Sequence, residues 1–297
     1  MHIMGKKLIG IGSLLLFTAS SAVANYDQHS RTEEFIAEAS KEYQLNPDEL
    51  RQWLSQAEKM DSVLEAIQRP AEKVKQWDEY QDIFLTKKRI KAGKAFMEKH
   101  AGLLAEAEKQ YGVRKEIIAA IIGVETYYGT RQGGYRVLDS LSTLAFDYPK
   151  RPLFWRELKA FFSLAEKENL DPAEIKGSYA GAMGYGQFIP TSYLAYAVDG
   201  DGDGKRDLWG NPADAIFSVA NYFKRHGWKA GEAVTQRVRV SGNDYEEVIN
   251  DRLKPKWTVS ELQALGVEPT EPVDGDHPAN LIRLYGKHGA EFWLGEY

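Results

Sequence analysis

The stretch that decides the fold is Lys115–Thr126, which reads KEIIAAIIGVET. Its centre, Ile117–Ile122, is apolar without interruption. On a helix of this length such a run covers every face, so we predict a short helix that is buried on all sides. Glu125 stands near its end, just before two tyrosines. A carboxyl group beside so much apolar surface is poorly solvated, which raises its pKa.

Glu125 can be interpreted in two ways. A glutamate whose pKa is raised toward neutral is suited to protonate a glycosidic oxygen as a general acid. The alternative is a structural carboxyl group that caps a neighbouring helix or pairs with an arginine, since such pairs also perturb carboxylates. Glycoside hydrolysis usually needs a second carboxylate, but Asp139 resembles a helix N-cap and Asp147 lies in a predicted turn. The sequence therefore offers one strong acid and no clear partner.

Helical patterns extend on both sides of this stretch. They run from Ser30 to His100, with an interruption at Arg69-Pro70. A long charged helix is predicted over 88–109. Amphipathic helices are predicted again at 153–168 and 213–226.

The pattern changes after Trp228. Val234–Val240 alternates apolar and polar residues, which predicts a strand. Thr258–Leu265 predicts a short helix with a capping-box spacing, and Asn280–Tyr285 predicts another strand. We therefore predict a mainly α protein of the α+β class. Its parts are an N-terminal helical region over 25–110, a helical core over 111–230 and a small mixed α/β appendage over 231–297.

The composition excludes several classes of protein. The 297 residues are 43% hydrophobic and 27% charged, as in soluble globular proteins. The absence of cysteine excludes disulfides, thiolate metal sites, a cysteine nucleophile and a lipid anchor attached through cysteine. A formal charge of −5 argues against binding nucleic acid. The 7 Trp, 16 Tyr and 12 Phe residues indicate either a large core or a sugar-binding cleft.

The N-terminus has the three regions of a secretory signal peptide. Lys6 and Lys7 precede the apolar run Leu8–Phe17, and Ala22-Val23-Ala24 is a small-residue cleavage signal. We predict a signal peptide over 1–24, with a buried N-terminal helix as the alternative. The run is too short to span a bilayer, and the longest later apolar stretch, Ile117–Val124, is shorter still. We therefore expect a soluble, exported protein in a bacterial periplasm, without a membrane span.

A segment rich in glycine and tyrosine lies between the later helices. Residues 177–190 read GSYAGAMGYGQFIP. Glycine lets a ligand approach the backbone closely, and the rings and the amide offer stacking and hydrogen bonding to a sugar. A tight helix–helix contact is the alternative interpretation.

Four blocks of sequence, taken together, resemble the membrane-bound lytic murein transglycosylase B family. They are IGVET with YG at 122–129, TLAFDYP at 143–149, AGAMGYGQFIP at 180–190, and NYF with HGW at 221–228. The resemblance covers nearly the whole chain after residue 24. It implies a lysozyme-like helical core that cleaves the β-1,4 bond between N-acetylmuramic acid and N-acetylglucosamine in peptidoglycan.

The resemblance also implies a mechanism that needs one carboxyl group and no cofactor. The family cleaves without water and leaves a 1,6-anhydro ring. One glutamate protonates the leaving oxygen and then, as a base, takes the proton of the C6 hydroxyl group that attacks C1. The substrate's own N-acetyl group is expected to stabilise the positive centre.

The family's site residues can be carried over where the motifs match. Glu125 matches the catalytic glutamate, and Arg151 matches one of two basic residues near the peptide stem. The other is Lys150, where the family more usually has arginine. Polar and aromatic residues match those that line the saccharide cleft: Tyr80, Ser178, Tyr185, Gln187, Phe188 and Tyr222.

An acidic loop, residues 199–205, reads DGDGDGK and has the pattern of the first half of an EF-hand calcium loop. Position 12 of that pattern is Gly210, so the closing carboxylate is expected from Asp214. A solvated Asp- and Gly-rich turn is the alternative, but the family has a lengthened loop closed by a late aspartate. The resemblance therefore favours a structural Ca²⁺ site. Its expected ligands are Asp199, Asp201, Asp203, Asp214 and the carbonyl group of Lys205.

The family resemblance also sets expectations about partners. It implies that the protein binds peptidoglycan glycan strands as a monomer, and it leaves contact with the cell-wall synthesis machinery open. Relatives continue past Tyr297 with a segment that reaches the active site and a closing helix, so we expect a cleft that is open on one side. The alternatives to a lytic transglycosylase are a non-catalytic peptidoglycan-binding remnant and a lysozyme-type hydrolase that uses Asp139 or Asp147.

Overall fold

The computed structural model describes residues 25–68, 75–148, 150–249 and 254–295. The predicted signal peptide over 1–24 and the predicted break at Arg69-Pro70 lie outside these residues. The described ranges hold twelve α-helices: α1 Thr32–Tyr43, α2 Pro47–Ser55, α3 Asp61–Gln68, α4 Trp77–Phe84, α5 Lys87–Lys99, α6 Ala101–Tyr111, α7 Lys115–Thr126, α8 Val137–Asp147, α9 Leu153–Lys167, α10 Pro190–Tyr196, α11 Pro212–Arg225 and α12 Val259–Ala264.

The single charged helix predicted over 88–109 is wrong, because the structure has two helices there. The chain turns at His100, whose φ of −112° and ψ of 26° are not helical. This break lets α5 pack against α7 while α6 packs against both α7 and α11. Gly112, in the left-handed region at φ 73°, ends α6. The helical periodicity of the sequence continues through this turn because no residue that strongly ends a helix stands beside His100.

Within the described ranges, seven strands form a small two-stranded sheet and a five-stranded sheet. The first pairs β1 with β2, and the second is antiparallel in the order β4-β6-β7-β3-β5. The strands are β1 Tyr135–Arg136, β2 Lys176–Gly177, β3 Thr235–Val240, β4 Trp257–Thr258, β5 Val267–Pro269, β6 Pro278–Gly286 and β7 Gly289–Gly295. The two strands predicted from the C-terminal sequence are confirmed as β3 and β6. The capping box of α12 is confirmed as well, since Thr258 and Glu261 bond each other's backbone N–H.

The buried hydrophobic residues form two clusters. The first draws on residues from Tyr26 to Trp228 and is built by α1–α3 and α5–α11, without α4. The second draws on residues from Val238 to Leu294 and is built by the five-stranded sheet with α12. The fold is therefore mainly α, with small sheets, as predicted. The division into three regions stays a prediction.

Helix α7 is buried on one face, so the prediction of burial on all sides is wrong. Ile118 and Ile122 are fully buried, and so is Thr126. Ile121 on the other face is half-buried, and Val124 is 42% exposed. The apolar residues of that second face border an open cleft and not a second layer of core, a distinction that composition does not make. Nowhere in the described ranges is there a helix long and apolar enough to cross a bilayer.

Candidate active site

The cleft above α7 is a pocket of about 350 Å³. Three elements build it: the last turns of α7, the segment 186–192 that leads into α10, and the middle of α11. Glu125 is the sole acidic side chain among its described lining residues. Its apolar, aromatic and amide side chains include Ile121, Gln187, Phe188, Tyr222 and Phe223.

Glu125 has a raised pKa because of desolvation. Its side chain opens to the cleft and is exposed by accessible surface, but the walls of the cleft surround it and limit its hydration. Among the described residues, the carboxyl group takes part in no hydrogen bond or ion pair. The structure therefore gives no support to a structural Glu125 that caps a helix or pairs with an arginine. A glutamate of this kind can hold a proton for transfer into the cleft.

The turn that follows Glu125 fixes the end of α7. Thr126 is fully buried, and its hydroxyl group donates to the carbonyl oxygen of Tyr185 at 2.8 Å and accepts from the N–H of Gly129 at 2.9 Å. Tyr127 and Tyr128 both have a left-handed backbone, with φ 53° and 61°. Such conformations persist in non-glycine residues when the surroundings enforce them.

Tyr128 shows what enforces this turn. Its ring lies against Gly123 of α7, where a Cβ atom would be 2.6 Å from the ring, and against Gly93 of α5. The ring also packs on Phe96 at 5.5 Å between centroids. Two glycines on neighbouring helices thus make room for the ring that anchors the turn beside Glu125.

Arg89 is a site residue that the sequence did not reveal. From α5 its Nη1 donates to the carbonyl oxygen of Gly123 at 2.5 Å. Its guanidinium group lies over the rings of Phe84 and Tyr127, at 5.1 and 4.9 Å. A cation at a helix C-terminus is favourable because the unpaired carbonyl groups concentrate negative charge there. In the sequence Arg89 is one of three consecutive basic residues, and nothing distinguishes it from Lys87 and Lys88.

The end of the Gly- and Tyr-rich segment lies beside Glu125. Gln187 and Phe188 line its pocket together with Tyr222. Gln187 has a left-handed backbone at φ 49° and its Nε2 donates to the carbonyl oxygen of Gly184 at 3.0 Å. Phe188 packs on Tyr222 at 5.8 Å. Tyr185 is tied to the end of α7 through its carbonyl oxygen, which accepts from Thr126.

Tyr185 and three other predicted residues lie outside the lining of this pocket. Ser178 organises a turn, since its Oγ accepts from the N–H groups of Ala180 at 3.2 Å and Ala182 at 3.0 Å. Tyr80 lies on α4 in a neighbouring pocket that also includes Val124. Arg151 is exposed in the turn between α8 and α9.

The two candidates for a second catalytic carboxylate, Asp139 and Asp147, make hydrogen bonds elsewhere in the fold. Asp139 is inside α8, which begins at Val137, so the predicted N-cap role is wrong. Its Oδ1 accepts from the N–H of Glu58 at 2.9 Å. Asp147 is the last residue of α8 and not part of a turn, and its Oδ2 accepts from the hydroxyl group of Tyr26 at 2.5 Å. Both carboxyl groups thus connect α8 to residues 26–59, and neither lines the Glu125 pocket.

The acidic loop brings three of its predicted ligands together. Oxygen atoms of Asp199, Asp201 and Asp203 all lie within 4.8 Å of one another. All three side chains are exposed, and carboxylate oxygens are the ligands that Ca²⁺ prefers. Backbone hydrogen bonds, led by the one from Gly204, lower the pKa of Asp199. The Asp199 carboxyl group is therefore ionised at neutral pH, where its negative charge attracts a cation.

The other two predicted ligands, Asp214 and Lys205, lie outside the cluster of three carboxylates. Asp214 is fully buried in the first turn of α11. Its two oxygens accept from the N–H groups of Gly200 at 2.7 Å and Asp207 at 2.6 Å, so it closes the loop onto α11. The N–H of Lys205 donates to Asp203 at 2.9 Å. The residues present fit a cation held by three carboxylates. Asp214 supports this loop through its hydrogen bonds with the backbone of Gly200 and Asp207.

Comparison with known proteins shows relatives over almost the whole chain. A family model described as "Transglycosylase SLT domain" matches residues 27–297. Membrane-bound lytic murein transglycosylase B of Escherichia coli strain K12 is 40% identical in an alignment of 281 residues that covers 91% of this chain and 76% of that protein.

Solved structures agree with this match. The catenated lytic transglycosylase SltB1 of Pseudomonas aeruginosa superposes with a TM-score of 0.87 at 44% identity, over 91% of this chain and 90% of that chain. The Escherichia coli lytic transglycosylase Slt35 in complex with calcium superposes with a TM-score of 0.81 at 39% identity, over 90% of this chain and 84% of that one. With this fold and this match, the chain belongs to the transglycosylase SLT domain family and is a lytic transglycosylase that acts on peptidoglycan.

Proposed function

We propose that Glu125 is the acid and then the base of this reaction, at the β-1,4 bond between N-acetylmuramic acid and N-acetylglucosamine. Glu125 gives its proton to the glycosidic oxygen as the bond from C1 to that oxygen breaks. The C6 hydroxyl oxygen of the muramic acid then attacks C1 and closes the 1,6-anhydro ring. Its proton goes to the Glu125 carboxylate, which restores the starting state without water as a reactant.

The observation that carries this proposal is a single carboxyl group with a raised pKa in the cleft. A lysozyme-type hydrolase would need a second carboxylate near the substrate. Asp139 and Asp147 are both committed to packing contacts with residues 26–59. An intramolecular hydroxyl nucleophile removes the need for that second group.

The other predicted residues have roles as substrate contacts. Phe188 and Tyr222 form an aromatic wall of the Glu125 pocket, and Gln187 stands beside them. Tyr185 supports the same wall through its bond with Thr126. Farther from Glu125, Tyr80 is proposed to contact a further sugar and Ser178 the glycan. Arg151 is proposed to bind a carboxylate of the peptide stem.

The acidic loop is proposed to hold a structural Ca²⁺ ion. Three carboxylates converge there, and the similar Slt35 is known in complex with calcium. The loop lies between α10 and α11, both of which contribute residues to the Glu125 pocket. The ion would hold these helices in register and take no part in the chemistry.

The compartment follows from the substrate and the N-terminal sequence. Peptidoglycan lies outside the inner membrane, and residues 1–24 have the pattern of a signal peptide. We therefore place the protein in the periplasm. Removal of residues 1–24 takes away Lys6 and Lys7 and changes the formal charge from −5 to −7.

The test is digestion of purified peptidoglycan followed by mass spectrometry of the released fragments. Wild-type protein is expected to release 1,6-anhydro products, each lighter by one water molecule than a reducing-end product. Glu125→Gln removes the proton donor while keeping the size of the side chain, and release is expected to fall by at least about a thousandfold because proton transfer assists both bond-breaking and ring closure.

Two further outcomes would contradict the proposal. Reducing-end products would show a hydrolase, and binding without any product would show a non-catalytic protein. Asp139→Asn serves as the control, because it removes a carboxyl group of α8 that lies outside the pocket. It is expected to lower stability and to leave the identity of the products unchanged.

A further inference from the structure

A fully buried carboxyl group lies behind the wall of the Glu125 pocket. It belongs to Glu157 of α9, which is 1% exposed and lies outside the lining of that pocket. Burial of an ionisable side chain is unfavourable unless hydrogen bonds satisfy its polar atoms. The contacts that its two oxygens make therefore indicate what Glu157 does.

Both oxygens of Glu157 accept hydrogen bonds from the same residue, Thr191. Oε2 accepts from the N–H of Thr191 at 2.9 Å, and Oε1 accepts from its hydroxyl group at 2.9 Å. The exposed side chain of Arg156 reaches Oε1 at 3.2 Å. Two bonds to one residue fix its orientation as well as its position.

These bonds supply the cap that α10 lacks. Thr191 is the second residue of this helix, which begins at Pro190 after the N-cap residue Ile189. The side chain of Ile189 makes no capping hydrogen bond, although the first N–H groups of a helix have no partner within it. Glu157 provides the acceptor from α9. Since a helix of seven residues is too short to be stable alone, this contact helps to set where α10 begins.

The start of α10 is also part of the cleft wall. The residues on either side of Pro190 and Thr191 line the Glu125 pocket, and they are Gln187, Phe188, Ile189 and Ser192. A shift of the start of α10 would move these side chains relative to the carboxyl group of Glu125 and admit water beside it. Glu157 thus reaches the site of the reaction through Thr191, without lining the cleft.

We propose that Glu157 is a positioning residue for the transglycosylase reaction. Its carboxyl group holds Thr191 and, through it, keeps the wall formed by residues 187–192 in place beside Glu125. The proposal rests on the proposed role of Glu125 and goes beyond it, because it assigns a function to a buried carboxyl group that takes no part in the proton transfers.

The experiment measures kcat and KM for release of anhydro products from soluble, uncross-linked glycan strands. Thr191→Val keeps the size of the side chain but removes the hydroxyl donor, and Glu157→Gln removes the carboxylate. Each is expected to lower kcat/KM about three- to tenfold, the loss that one hydrogen bond implies. Thr191→Ser keeps both bonds and is expected to retain most of the activity. The double variant is expected to lose no more than the worse single variant, because both changes act on one contact.

A second measurement separates positioning from a general loss of structure. If the wall shifts, water reaches Glu125 and lowers its pKa, so the alkaline limb of the pH profile of kcat/KM moves to lower pH. Lys159→Met on the same helix is the matched control. Lys159 is also buried, and its ammonium group pairs with Glu38 at 3.0 Å and Glu42 at 2.6 Å on α1. This variant is expected to lower the melting temperature and to leave kcat/KM and the alkaline limb unchanged.

The proposal is overturned if Thr191→Val and Glu157→Gln behave like the control, with a lower melting temperature but an unchanged kcat/KM. It is also overturned if Lys159→Met lowers kcat/KM equally, or if the alkaline limb stays in place in both test variants. Full activity of Glu125→Gln would overturn the proposed function instead, and the effect of Thr191→Val on product release would still be measurable.

Discussion

At the scale of the residue, the acid role proposed for Glu125 depends on how its carboxyl group is solvated. No cation among the described residues contacts its carboxyl group, and desolvation raises its pKa above the ordinary value for glutamate, about 4.3. Its protonated form is therefore still populated at a pH where a surface glutamate is ionised. The proposed acid role requires that form, so the rate is expected to fall as pH rises through the raised pKa.

This dependence gives a prediction for the pH profile of kcat/KM. The alkaline limb is expected to lie above the pKa of an ordinary glutamate. Ile121→Gln, one helical turn before Glu125, admits water beside the carboxyl group and is expected to move that limb to lower pH. Ile121→Val keeps the wall apolar and serves as the control. An unchanged limb in Ile121→Gln would show that the walls of the cleft do not set the pKa.

The same shift affects stability with a definite sign. Since the folded state holds the Glu125 proton more tightly than the unfolded state, stability falls as pH rises from the ordinary glutamate pKa to the raised one. Glu125→Gln removes this effect. The variant is therefore expected to be at least as stable as the wild type at neutral pH. Its loss of activity would then be due to the missing proton donor and not to unfolding.

The sequence indicates the desolvation of Glu125 but does not reveal the residues that hold the turn beside it. The apolar run before Glu125 is local, so it signals desolvation directly. Arg89 acts from α5 on the carbonyl group of Gly123, a contact between residues far apart in the chain. Tyr128 likewise depends on Gly93. Such contacts depend on tertiary packing, which a single sequence does not display.

At the scale of the element, α7 shows why a periodic pattern can mislead. Ile118 and Ile122 face the core, while Ile121 and Val124 face the clefts. Both the core and the cleft favour apolar residues, so the sequence of α7 predicts a helix that is buried on all sides. The capping box of α12 and strands β3 and β6 were predictable because their signals are short and specific.

The acidic loop gives a prediction for metal binding. Calcium is expected to raise the melting temperature by several degrees, since an ion at 100 times its Kd contributes about 2.7 kcal/mol and each kcal/mol is worth about 2–4 °C in a protein of this size. Chelation reverses the shift. Asp199→Asn and Asp201→Asn are each expected to abolish the response, because each removes a charged ligand.

The control for this experiment is Asp171→Asn. Asp171 also accepts from a backbone N–H in an exposed turn, that of Ala173 at 2.9 Å, but it lies outside the acidic cluster. Its response to calcium is expected to match that of the wild type. A melting temperature that does not change with calcium would contradict the site.

At the scale of the whole molecule, the two hydrophobic clusters give the chain two centres of stability. Leu141 is fully buried in the first and Leu281 in the second. The change in sequence character after Trp228 falls between the residues of these two clusters. The contact between α4 and the sheet was not predictable, since it joins residues about two hundred positions apart, such as Asp78 and Lys287.

This arrangement predicts local effects of core substitutions. Leu281→Ala creates a cavity and is expected to cost about 2–5 kcal/mol. Hydrogen exchange measured by mass spectrometry should show faster exchange in β3, β6 and β7 and little change in α7 and α8. Leu141→Ala is expected to give the reverse pattern. Equal loss of protection in both parts would show that the clusters unfold as one unit.

The open apolar face of α7 also has a thermodynamic consequence. In the empty cleft, Ile121 and Val124 are hydrated. A glycan that covers them releases that water, and burial of apolar surface gives association a negative change in heat capacity. The enthalpy of glycan binding therefore becomes more favourable as temperature rises, even though the ligand itself is covered with hydroxyl groups.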